Sequence, residues 1–360
     1  MDVAVDVVCL GESMVTFLPS VAGRLADVPS FVRTIGGAES NVACALAVAG
    51  HRAKWVSRVG ADGFGDHLIE AVAAYGVDTS AVHRDPHRPT GVYFRTATDR
   101  ATDTHEVVYY RAGSAASAMS PRTVPYEDLR AARVLHVSGI TAALSDDCLA
   151  LMRDLTGPRP GRPLVSFDVN HRPGLRRDDP AVLLELARGA DLVLVGEDEA
   201  EEAWGLRGAD AIRDALAEPE VVVVKRGAKG AVAYSRPACA PQHDTVTREP
   251  APRVDVVAPV GAGDAFAAGF LSATLRGLGM KARLRHGHLM AAAALTVPAD
   301  LGPPPTRRPD HHPSTSRYAA PLTLAYADRL AALGDEDWGT LHLGPGWTAA
   351  AQAPEEVQTP

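Results

Sequence analysis

Cysteine is scarce in this chain of 360 residues: there are four, Cys9, Cys44, Cys148 and Cys239. No two stand at C-x-x-C spacing, which argues against a zinc clip or a disulfide framework, and they read as buried, inert thiols of a reducing compartment. Basic runs are also missing. With a formal net charge of −8 the chain has no electrostatic footprint for nucleic acid or an anionic membrane, so an acidic ligand would have to meet a local cluster of arginines. Long apolar runs are absent too. The opening MDVAVDVVCLGESM lacks a basic n-region and its apolar stretch is broken by Asp6, so it reads as neither signal peptide nor membrane span, and a cytoplasmic location is expected. Three nucleotide motifs are lacking: there is no G-x-x-x-x-G-K-[ST] loop, Phe266 stands where a third glycine would complete a dinucleotide turn, and no H-R-D set occurs. A Walker NTPase, a standard dinucleotide fold and a protein kinase are thereby disfavoured. His311 and His312 have no ligand partners at suitable spacing and read as solvated.

What is present is an ordinary globular composition, 46% hydrophobic with 22% charged residues, enough for a sizeable core. Short β-rich runs (VDVVCL, KWVSRVG, RVLHVSG, PLVSFDVN, DLVLVG, EVVVVKRG) alternate with helical stretches such as FGDHLIEAVAAYG and DPAVLLELARG. That order predicts an α/β fold, a mostly parallel central sheet with helices on both faces, binding ligands outside the C-terminal strand ends. One region breaks the rhythm. Residues 90–99 and 105–113 are two β-type runs with no helix between them, read as an antiparallel hairpin that projects as a lid or an oligomer contact. Prolines and basic residues over 301–316 suggest an extended linker, 318–334 can form one amphipathic helix, and the stretch from Gly344 to Pro360 is expected to fray.

Several strand ends carry polar groups. In VAPVGAGDAFAAGF, Gly261 and Gly263 precede a helix that places Asp264 in its first turn. A helix start offers unpaired N–H groups and a positive dipole end, so an anion can sit there, although an aspartate in that position also serves as a plain cap. In SFDVNHRPG, residues Asp168, Asn170 and Arg172 recur at period two before Pro173 stops the strand, so all three are expected on one side. Gly36 and Gly37 lead into a helix with Asn41 in its first turn, and the turn of VVVVKRGAKGAVAY, with Gly227 and Gly230, is either a nucleotide contact or a simple hairpin turn.

GGAESNVACALAVAG together with PVGAGDAFAAGF resembles the two signature regions of the ribokinase-like (PfkB) carbohydrate kinases, from about residue 5 to residue 305. Within that family VYYRAGSAASAMSP, LHVSGITAALS, SFDVNHRPGL and VVVKRGAKGA look most like 2-keto-3-deoxygluconate kinases. The resemblance implies a kinase domain over residues 1–305, with a lid made of about 88–113 and part of 14–35, and an extension over 306–360 that is partly extended or disordered. It implies ATP and Mg2+ as cofactors and a small sugar acid as partner. Asp264 would be the catalytic base, with Gly261, Ala262 and Gly263 forming an anion hole. Gly37, Ala38, Glu39, Ser40 and Asn41 would line the sugar pocket, Tyr93, Tyr109 and Arg111 would come from the lid, and Asp300 would be a late substrate contact. Arg172 would bridge sugar and phosphate; Asn170, Lys225, Gly227, Gly230 and His288 would flank ATP; Glu199 would help hold the magnesium. Arg111 lies two residues after Tyr109 on the lid strand and so faces the same side; with Arg172 it would suit an anionic substrate. The sequence departs from the family at Ala258, where an aspartate is common and which leaves a monovalent-cation site in question, at Gly196, where an asparagine is common, and at His288, where an asparagine often faces the base. The expected activity is phosphorylation of the terminal hydroxyl of 2-keto-3-deoxygluconate; the alternatives are a neutral-sugar kinase and a catalytically silent sugar-binding regulator.

Overall fold

A computed structural model describes residues 5–21, 23–96, 106–173, 175, 179–236, 243–297 and 321–352. Its centre is a nine-stranded sheet whose spatial order is Thr245–Glu249, Ala231–Ser235, Val221–Lys225, Leu192–Gly196, Leu164–Asp168, Ala132–Ser138, Val5–Leu10, Ala53–Gly60 and Val82–Asp85. The strands from Val221–Lys225 onward are parallel, and of the first two only Ala231–Ser235 runs against the others, so that both pairings it makes are antiparallel. The inner strands are apolar on both faces because both are covered, whereas the edge strands Thr245–Glu249 and Val82–Asp85 carry exposed polar residues. Val7 and Cys9 point to one layer, with Val42, Leu46, Phe266 and Phe270 of the helices Ala38–Val48 and Ala262–Leu275. Val8 and Leu10 point to the other, with Leu151, Leu155, Leu183 and Leu186 of the helices Asp146–Thr156 and Pro180–Gly189. This period-two division is what a doubly covered parallel sheet requires.

The expected hairpin exists as Val92–Arg95 paired antiparallel with Val107–Tyr110, and its connection over 97–105 lies outside the described residues. It belongs to a larger unit. A second sheet, ordered Phe31–Gly36, Met14–Pro19, Val92–Arg95, Val107–Tyr110, joins two distant stretches of chain through a parallel seam between Met14–Pro19 and Val92–Arg95. Aromatic packing holds it, with Phe17 stacked on Phe94 at 4.8 Å. Only Gly11, Glu12 and Ser13 separate it from the central strand Val5–Leu10, so it stands directly over that strand's C-terminal end.

The end of the chain corrects an expectation. The helix expected over 318–334 is confined to Leu324–Ala331 and followed by a second, Asp335–Thr340. The region from Gly344 does not fray at its start: Leu343 and Thr348 are buried, and Trp338 is fully buried against Leu289 and Ala292 of the helix Met280–Leu295. The proline-rich linker and the proposed boundary near residue 305 lie outside the described residues, as do Cys239, His311 and His312, whereas Cys9, Cys44 and Cys148 are buried free thiols. Among the described residues no helix is long and apolar enough to cross a membrane.

Candidate active site

A cavity of about 680 Å³ opens where the central strands end beneath the small sheet. Its floor is the start of the helix Ala262–Leu275. Gly261 precedes it at φ 75, a left-handed conformation that glycine adopts without strain, and no side chain caps the helix. The first-turn N–H groups therefore lie at the cavity with the dipole's positive end behind them. Asp264, in that turn, is half-buried and takes no capping role; its Oδ2 accepts a hydrogen bond from Asn41 Nδ2 at 2.8 Å. Burial raises its carboxyl to about 7, and the nearby charge of Asp168 adds to the rise, against the Asn41 hydrogen bond and the positive charges of Arg172 and Lys225. An acid poised near neutrality facing a cavity is suited to accept a proton.

Lys225 ends its strand with Nζ 2.9 and 3.1 Å from the two oxygens of Asp168, and 3.7 Å from where a Cβ on Gly263 would sit. Burial opposes its charge, but Asp168, Glu199 and Asp264 outweigh burial and raise its pKa. A fixed ammonium thus faces the helix N-terminus, nearer the centre of the site than a flanking role would put it. Asp168, Asn170 and Arg172 all reach the cavity wall, though not by the expected pleat. The strand stops at Asp168, and Asn170 takes φ 43, the one positive non-glycine φ among the described residues. Asn170 Oδ1 is buried without a hydrogen-bond partner. Strain of this kind persists where surrounding structure demands it, often at binding sites.

Of the first signature, Gly37, Ala38 and Asn41 line the cavity. Glycine is required at 37, where a Cβ would lie 2.4 Å from the carbonyl oxygen of Glu12. Glu39 and Ser40 do not line the cavity, contrary to expectation. Glu39 Oε1 turns inward and accepts from Ser138 N (3.1 Å), Ser138 Oγ (2.8 Å) and Thr141 Oγ1 (2.9 Å). Ser40 Oγ is fully buried and donates to Ser13 Oγ and the Gly37 carbonyl. Gly227, Gly230 and His288 also stand away from this cavity's wall. The glycines shape the tight turn between the antiparallel strands Val221–Lys225 and Ala231–Ser235. His288 is buried edge-on to Phe266, with Nε2 3.3 Å from the carbonyl of Glu249. Asp300 lies outside the described residues.

From the small sheet come Tyr93, Tyr109 and Arg111 as expected, together with Arg95, which was missed although it follows Tyr93 at period two on the same strand face. Glu12 was missed as well. Its buried carboxylate pairs with Arg111 and accepts from Ser114 Oγ at 2.5 Å, tying the lid's last strand to the end of the first central strand. Glu199 reaches the cavity from the first turn of the helix Glu197–Trp204; its Oε2 accepts from Gly196 N at 2.7 Å while Oε1 lies 3.8 Å from Arg172. At Gly196 a Cβ would lie 2.5 Å from Asp198 Oδ1 and 3.0 Å from the Glu199 carboxylate, both side-chain ends able to move aside. At Ala258, the backbone N–H bonds to the carbonyl of Leu295 at 3.3 Å.

Residues 4–307 match the pfkB family carbohydrate kinases. The chain belongs to that family. A 2-dehydro-3-deoxygluconokinase of Bacillus subtilis (strain 168) is 36% identical over 84% of this chain and 93% of that protein. A 2-dehydro-3-deoxygluconokinase of Thermoproteus tenax is 32% identical over 81% of this chain and 88% of that protein. Among solved structures, a ribokinase II of Escherichia coli in complex with ATP and Mg2+ superposes with a TM-score of 0.69 at 26% identity, covering 81% of this chain and 93% of that one. In this carbohydrate kinase the donor set fits the phosphates of ATP: an uncapped glycine-rich helix start and a fixed ammonium. It fits Mg2+ only as an ion held mainly by phosphates and waters, since no cluster of three metal-binding side chains occurs among the described residues; Glu199 lines the cavity beside Asp168 and Asp264, with Oε1 on the side of Arg172.

Proposed function

We propose that this kinase transfers the terminal phosphoryl group of ATP to the terminal hydroxyl of 2-dehydro-3-deoxygluconate. The observation that carries the chemistry is Asp264, raised to about 7 and facing the cavity in the first turn of an uncapped helix. Its carboxylate takes the hydroxyl proton as the sugar oxygen attacks the terminal phosphorus, and ADP leaves with the bond electrons. The N–H groups of Gly261–Gly263 and the Lys225 ammonium balance the charge of the transferring group, which is most of what phosphoryl transfer asks of a protein. Glu199 would orient Mg2+ through its waters, and the ion would supply further neutralisation of the phosphates.

The acid substrate is favoured by three guanidinium groups, Arg95, Arg111 and Arg172, at one cavity and by the names of the two relatives. Arg111 Nε is buried without a hydrogen-bond acceptor, which leaves an N–H for a substrate carboxylate. The pairing of Arg111 with Glu12 favours a second reading, because a pair that is already neutral also suits a neutral ketose. ADP release measured over a panel of sugars and sugar acids separates the two. Turnover is expected to be highest on the keto-acid, and Arg111→Ala should cost about 2–4 kcal/mol in kcat/KM there and far less on fructose. Preference for fructose, or equal losses on both, supports the neutral-sugar kinase; no turnover on any sugar supports a silent binding protein. The reading places the enzyme in the cytoplasm, and the exposed lid edge at Val108, Tyr109 and Tyr110 offers a surface through which two copies could pair.

A further inference from the structure

The family match ends at residue 307, yet the segment beyond it is anchored to the strand that leads into the catalytic turn. Trp338 is the anchor. Its ring lies 4.6 Å from the guanidinium carbon of Arg285, itself 2% exposed, and its Nε1 donates to the carbonyl of Pro250 at 2.8 Å. Arg285 donates in turn to Glu249 Oε1 at 2.7 Å and Asp335 Oδ1 at 2.8 Å. Further along, His342–Leu343 pairs in parallel with Arg253–Val254. Arg253 N donates to the Leu341 carbonyl at 2.9 Å, Asp255 N to that of Leu343 at 3.0 Å, and His342 Nε2 meets Asp255 Oδ1 at 2.9 Å. The chain from Pro250 to Asp255 is thus held against the late segment. The loop from Asp255 then reaches Gly261 after a second attachment, where Val257 N and Ala258 N share the carbonyl of Leu295 at 2.7 and 3.3 Å.

We propose that Asp335–Leu343 is a positioning strap for phosphoryl transfer. It fixes the start of the loop Asp255–Val260, the Leu295 carbonyl fixes its middle, and the turn Gly261–Gly263 at its end is held ready for the phosphates of ATP. Without the strap the loop has one attachment in place of two, and the turn wanders relative to Asp264 and Lys225. A displacement of about 1 Å of a group that positions the reacting atoms can lower the rate as much as 100-fold. The sugar side of the cavity, built from the helix Ala38–Val48 and the small sheet, makes no contact with the strap through these bonds and keeps its affinity.

The test uses the full chain carrying Trp338→Ala. The expected result is a kcat lowered about 10- to 100-fold and a raised KM for ATP. Sugar affinity, measured by calorimetry without ATP, stays within about twofold, and amide hydrogen exchange quickens at residues 255–263. Folded protein with unchanged kcat and ATP KM overturns the proposal, as does a parallel loss of sugar affinity, which marks general loosening. If Trp338→Ala does not fold, the double variant Trp338→Phe/His342→Ala keeps an aromatic ring at the site beside Arg285 and removes the bonds to Pro250 and Asp255 along with part of the buried indole. A rise in ATP KM with unchanged sugar affinity supports the strap there; wild-type kinetics reject it.

Discussion

Two helices enter the same cavity in the same way and put their acids to opposite uses. Each begins at glycine, at Gly37 and at Gly261, and each carries one carboxylate in its first turn, Glu39 and Asp264. Burial pushes both above the usual range. Glu39 is enclosed by three donors on one oxygen and ties the helix Ala38–Val48 to the end of the strand Ala132–Ser138. Asp264 has one side-chain donor, Asn41, which itself belongs to the first helix. A carboxylate enclosed by donors is structural, whereas one with a single donor and an open side can exchange a proton. The first helix therefore contributes a fixed acid for architecture and an amide that aims the reactive acid of the second.

The largest effect should come from Asp264→Asn, which keeps size and removes proton acceptance. A fall in kcat of roughly 10²- to 10⁴-fold with sugar binding retained is expected; near-normal turnover would put both acids in the structural class. Glu39→Ala should instead act on folding. It strands the Ser138 and Thr141 donors, and denaturant titration should show a loss of about 3 kcal/mol while kcat per folded molecule changes by less than about twofold. A larger catalytic loss would return Glu39 to the sugar pocket. Asn41→Ala removes the bond that favours the charged form of Asp264. In the native protein kcat/KM should rise with pH around the Asp264 value of about 7. In the variant that limb should move to higher pH, lowering kcat/KM at neutral pH by roughly 3- to 10-fold and less at pH 9. A limb that stays in place assigns the titration to another group.

The smallest effect is thermal. Because the folded state holds the Asp264 proton up to about 7, against an ordinary value of 3.8, folding stability declines as pH rises between those values and is unaffected below them. Asp264→Asn removes this handicap, so its Tm should exceed that of the native protein by roughly 2–4 °C at pH 8 and match it at pH 3.5. Equal Tm values at pH 8 would show that the carboxyl is not perturbed.

The sheet was legible because strands covered on both faces must be apolar throughout, as VVVV at 221–224 is. Asp264 and its glycines were legible because a helix start next to close-approach residues has few alternative uses. The inward turn of Glu39 follows from helix geometry. Residues two apart on a helix point about 200° from one another, whereas those three apart share a face, so a cavity that takes Asn41 also takes Ala38 and turns Glu39 away. The convergence of Asp168, Asn170 and Arg172 was foreseen on a pleat that does not extend that far; the left-handed Asn170 has no signal in a strand pattern. Glu12 and Arg111 are ninety-nine positions apart, and a pairing over that separation follows only from topology. The docking of Trp338 on Leu289 and Ala292 has no signal in the sequence pattern, because the apolar residues it meets lie on a helix some fifty positions earlier and the pairing follows only from the fold.

The lid is drawn from two separated stretches, and its parallel seam matches Val15 with Val92, Thr16 with Tyr93 and Phe17 with Phe94. Substrate preference in this architecture is therefore not a cassette. Exchanging residues 92–110 for those of another kinase would import new sugar contacts onto a foreign seam, and the graft would have to carry Met14–Gly36 with it to close. Natural drift faces the same coupling: a change in what the lid recognises has to be accommodated by a strand seventy-seven residues earlier, which ties the evolution of specificity to the first strands of the chain.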